Sequence, residues 1–78
     1  MELIIDKKTI RKLKEKGYDV NEMKRIIQEE LTDYDFEGSS LFDLFFYYEG
    51  ERTHAQGKVI DGVEHCYGVG TNLKIIEA

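Results

Sequence analysis

The chain has 78 residues, is 41% hydrophobic and 35% charged, carries a formal charge of -5, and contains one cysteine and no proline or tryptophan. That length holds one domain, residues 1–78, with a thin core, because a fold of this size removes only about 60–65% of its extended-chain surface from water, and one cysteine makes no internal staple. No run approaches the roughly 18 apolar residues of a membrane span, Met1 to Asp6 lacks the order of a signal peptide, and a lone cysteine fits a reducing compartment; a cytoplasmic protein without membrane association is expected.

Leu3-Ile4-Ile5 is a short apolar run that reads as an edge strand. Asp6 or Thr9 can cap a helix running to about Lys16, with Ile10 and Leu13 as its narrow apolar stripe and Gly17 in the left-handed position that ends it. Asp19-Val20-Asn21-Glu22 has the capping-box pattern, and Tyr18 with Met23 has staple spacing. The stripe Val20, Met23, Ile26, Ile27, Leu31, extending to Tyr34, then predicts the best helix of the chain.

Thr32 to Ser40 is polar, contains Gly38 and reads as a connection. Leu41 to Tyr48 is the most hydrophobic stretch. Its aromatics favour a buried strand over about 43–49, although Ser39 or Ser40 can also cap a short helix there. Gly50-Glu51 reads as a turn and Arg52 to Ile60 as a strand. Asp61-Gly62 is the strongest hairpin signal, because both residues tolerate positive φ. Val63 to about Val69 returns, Gly70-Thr71-Asn72 turns, and Leu73 to Ile76 makes a last short strand. The expected architecture is α+β: two N-terminal helices packed on an antiparallel sheet of three or four strands.

Catalytic and metal groupings are sparse. A two-residue turn at Asp61-Gly62 pairs Ile60 with Val63, Lys58 with His65, Gly57 with Cys66 and His54 with Val69. His54 and His65 then share a face about 13 Å apart along the strand, and Cys66 points to the other face, so no zinc triad and no Cys–His nucleophile result. A surface histidine beside Lys58 and a half-buried cysteine are the expectation. Asp33, Asp35 and Glu37 alternate with Tyr34 and Phe36, as in a solvated connection anchored by its aromatics. Gly68-Val69-Gly70 lacks the glycine pattern and following helix of a phosphate loop and reads as a turn or bulge. No catalytic residue, metal or cofactor is expected. An enzyme with a site on the sheet near His54, His65 or Tyr67 is carried as a second alternative.

The charge is unevenly placed. Residues 1–31 hold eight Lys/Arg and seven Asp/Glu, whereas residues 32–78 hold three and nine. Lys8, Arg11 and Lys12 lie together at three-four spacing on the first helix, a solvated face or a candidate contact for phosphates. The short strand, the helix ending Leu13-Lys14-Glu15-Lys16-Gly17-Tyr18-Asp19-Val20-Asn21 and the capped amphipathic helix after it resemble the ribbon-helix-helix DNA-binding fold over residues 1–31. The resemblance implies strands of two chains paired in the major groove, second helices packed across a dimer, and a DNA-binding transcriptional regulator. It stands as the alternative. The leading expectation is a small non-catalytic factor that binds another protein or itself as a homodimer, of the kind that serves as a regulatory accessory, an inhibitor or a phage-type factor. Its expected interface is Phe42, Phe45, Phe46, Tyr47 and Tyr48, more aromatic area than one face of a short strand needs.

Overall fold

The computed structural model describes residues 3–71 and 76–77. Along the chain run β1 (Leu3–Ile5), α1 (Lys7–Glu15), α2 (Val20–Thr32), β2 (Leu41–Tyr48), β3 (Glu51–Ile60), β4 (Val63–Thr71) and β5 (Ile76–Glu77). The two helices pack on one face of a sheet ordered β1-β4-β3-β2, with β5 on the same edge of β4 as β1. This is the expected α+β arrangement.

Local chemistry sets the helix ends. Asp6 Oδ1 accepts the Thr9 N–H at 2.9 Å and caps α1. The helix closes in a Schellman motif, with Tyr18 N–H donating to Leu13 O, Gly17 N–H donating to Lys14 O, and Gly17 at φ 82°. Asp19 Oδ1 accepts the Glu22 N–H at 3.1 Å and caps α2. Of the predicted stripe, Met23, Ile27 and Leu31 are buried, while Val20, Ile26 and Tyr34 pack at its margin.

The sheet is antiparallel from β2 to β4, but β1 joins β4 in parallel, Leu3 opposite Glu64 and Ile5 opposite Cys66. No tight turn links these two strands; both helices and two hairpins intervene, so hairpin geometry does not dictate their direction. Leu3 and Ile5 sit in the core. This departs from the ribbon arrangement, which needs the first strand free to pair with a second chain.

The aromatic run is a strand, at Leu41–Tyr48 rather than 43–49. Ser39 Oγ accepts the Leu41 N–H at 3.0 Å instead of starting a helix. The turn after it is Glu49-Gly50, one residue earlier than predicted, with φ of 50° and 82°; Asp61-Gly62 matches it at 51° and 78°. Both are two-residue turns whose positive φ suits the twist of a hairpin. The pairs Ile60–Val63, Lys58–His65 and Gly57–Cys66 form as predicted. The register then slips, so that Gln56 faces Gly68 and His54 faces Gly70, not Val69. Tyr67 is the extra residue of this bulge. Gly70 and Thr71 continue β4. Asn72 and residues 73–75 of the predicted turn and last strand lie outside the described residues; Ile76 pairs with Val69.

The core fills the space between helices and sheet. Leu13, Met23, Ile27 and Leu31 come from above, and Leu3, Ile5, Phe42, Leu44, Phe46, Tyr48, Ala55, Cys66 and Val69 from below. Tyr34 and Phe36 pack edge-on against Phe42 at 6.4 and 6.3 Å, anchoring the acidic connection as its alternation suggested.

Candidate functional site

Period-two alternation divides the aromatic run. Phe42, Phe46 and Tyr48 turn inward and are buried, so three of the five expected interface residues belong to the core; Tyr48 also meets Tyr18 edge-on at 5.3 Å and its hydroxyl accepts the Asp19 N–H. Phe45 and Tyr47 turn outward and are 48% and 72% exposed. The helices cover one side of the sheet only, so these two rings stand on its open side, with Leu41, Ile4 and Ile60 also exposed.

A cluster forms around Phe45. His54, directly opposite on β3, stacks on it with ring centroids 4.3 Å apart and planes 10° from parallel. The Arg52 guanidinium lies 5.2 Å from the Phe45 ring centre. Asp43, two residues before Phe45 and on the same side, places Oδ1 2.9 Å from His54 Nε2. On the far side of His54, β4 presents Gly70, which adds no side chain, so the cluster borders a low strip. The cluster is absent from the sequence reading because placing the turn at Gly50-Glu51 sets Phe45 opposite Gln56. A turn at Glu49-Gly50, read from the glycine in second place, brings Phe45 to His54.

The remaining candidates do not converge. His65 lies beside Lys58, four residues along β3 from His54, about 13 Å away. Among the described residues no group of three His, Cys, Asp or Glu is placed to hold a metal ion. Cys66 is fully buried rather than half-buried, and desolvation pushes its thiol up to about 11, while its S–H donates to the Gly68 carbonyl. It is therefore a protonated core residue at neutral pH. Lys8, Arg11 and Lys12 do come together, lining one shallow groove on α1, but Glu15 shares it. A second groove, lined by Gln28, Leu31, Thr32 and Glu64, holds a carboxyl whose burial raises its pKa above the usual glutamate value. Neither groove contains His54, His65 or Tyr67.

No described helix is long and apolar enough to cross a membrane. Comparison with protein-family models, curated proteins and solved structures finds no match.

Proposed function

We propose that the chain is a small non-catalytic binding factor that docks a protein partner through Phe45, Tyr47 and the acidic residues Asp43 and Glu49 beside them. The observation that carries this reading is the exposure of two large rings on the side of the sheet that the helices leave uncovered. Exposed aromatics held on a strand lose little side-chain entropy on binding and anchor interfaces. The groove at Lys8, Arg11 and Lys12 is a weaker basis for function, because Glu15 offsets part of its charge and no aromatic ring lines it for base stacking.

The test is capture from cell extract on immobilised wild type and on the Phe45→Ser/Tyr47→Ser double variant. Both substitutions lie on the exposed side, so the fold persists, checked by circular dichroism. The expected result is a protein retained by wild type and lost by the variant. An identical set of captured proteins on both overturns the reading.

A further inference from the structure

The groove under the last turn of α2 is built around one carboxyl. Gln28, Leu31 and Thr32 share a face of that turn at three-four spacing, and Glu64 of β4 lies against them. Glu64 is on the helix side of β4, the side of its core neighbour Cys66. The groove holds about 240 Å3, room for a small ion with a short stem and less than a drug-sized molecule needs. Glu64 is 4% exposed. The ion pairs of the described residues join Arg25 to Glu22 and Glu29, and His54 to Asp43. None reaches Glu64, and its carboxyl makes no hydrogen bond among those residues. A buried carboxyl of this kind gains most from a ligand that brings hydrogen-bond donors and positive charge.

The surrounding groups can accept as well. Thr32 Oγ1 spends its hydrogen on Gln28 O at 3.0 Å, which leaves the hydroxyl lone pairs, and Gln28 adds an amide oxygen. The last turn of α2 carries no basic side chain, and its backbone presents the negative end of the helix dipole. Leu31, 5% exposed, supplies an apolar wall. We infer that this groove binds a primary alkylammonium ion, whose three N–H donors meet the Glu64 carboxylate, the Thr32 hydroxyl and the Gln28 amide oxygen while its stem lies on Leu31. A divalent metal ion fits poorly: the groove offers one carboxylate, and no group of three His, Cys, Asp or Glu among the described residues is placed to hold a metal. An anion is repelled by Glu64 and by the helix end. Desolvation raises the Glu64 pKa and the positive charge of the chain's own amino terminus lowers it; a bound ammonium acts in the second sense and keeps the carboxylate ionised. The groove is on the opposite side of the sheet from Phe45 and Tyr47, so it is separate from the protein-docking surface.

The experiment is an NMR titration near neutral pH with n-butylammonium chloride, set against sodium butyrate and sodium chloride at matched concentration. Glu64→Gln is the informative variant, because it keeps the side-chain shape and removes the charge. The expected results are saturable shifts at Gln28, Leu31, Thr32 and Glu64 with butylammonium alone, an affinity at least about tenfold weaker in Glu64→Gln, and a Glu64 carboxyl titration midpoint lowered by the ligand. A lysine tripeptide with blocked ends separates the sources of the ammonium. Competition with butylammonium supports a lysine side chain as ligand, and butylammonium binding without competition supports a free alkylamine. No saturable shift at those four residues, shifts of equal size with sodium chloride, or an unchanged affinity in Glu64→Gln overturns the inference. So does binding seen only once the amino terminus is acetylated. If Glu64→Gln does not fold, the carboxyl midpoint of the wild type decides.

Discussion

Gly57 is where the sheet and the aromatic core meet most closely. It lies opposite Phe42 on β2 and Cys66 on β4, and a Cβ placed there would collide with the Phe42 ring and the His65 carbonyl oxygen. The carbonyl belongs to the backbone beside the bulge, so it cannot rotate away as a flexible side chain would. Phe42 is itself 1% exposed and wedged against Tyr34 and Phe36. Gly57→Ala is therefore expected to lower stability by at least about 2 kcal/mol, read as a shift in the denaturant midpoint. A Gly57→Ala chain as stable as wild type would show that the ring does not rest on this backbone. The same residue explains a limit of sequence reading: the Gly57–Cys66 pair follows from the Asp61-Gly62 turn, but nothing in the letters marks the slip immediately after it.

The elements were legible in proportion to how local their causes are. Both helix caps, the Asp61-Gly62 hairpin and the inward stripe of α2 depend on residues within a few positions of one another, and each was readable. The Phe45–His54 stack and the Asp43–His54 contact depend on the β2–β3 register, which a one-residue error in the turn displaces by two positions. The division of the aromatic run into buried and exposed halves follows from alternation once the segment is known to be a strand with helices on one side only. Capping gives a prediction at this scale. Asp19 closes the first turn of α2 and its own N–H donates to the Tyr48 hydroxyl, so it fixes the helix start to the sheet. Asp19→Ala removes the side-chain cap and keeps the backbone bond; a loss of about 1 kcal/mol is expected, measured by chemical denaturation. An unchanged midpoint would mean that packing of Met23 and Ile27 alone sets where α2 begins.

For the whole molecule, Glu64 links stability to pH. It is 4% exposed, and desolvation raises its pKa from the usual 4.5, so the fold favours its neutral form. A carboxyl raised in this way contributes fully to stability below its unfolded value and loses that contribution as pH rises through its folded value. At neutral pH the ionised group costs stability that Glu64→Gln removes. The variant is expected to be more stable than wild type at neutral pH, and the gain should vanish as the pH falls below 4.5. A gain independent of pH would assign the effect to shape rather than charge. The parallel seating of β1 on β4 has a consequence in time. Leu3 pairs with Glu64 and Ile5 with Cys66, whereas β2, β3 and β4 join through two-residue turns. The hairpins close short loops quickly, and β1 closes nearly the longest loop the chain allows. A ribosome making this protein releases β1 and both helices before their seat exists, and β1, made ahead of the strand it joins, is among the last to dock.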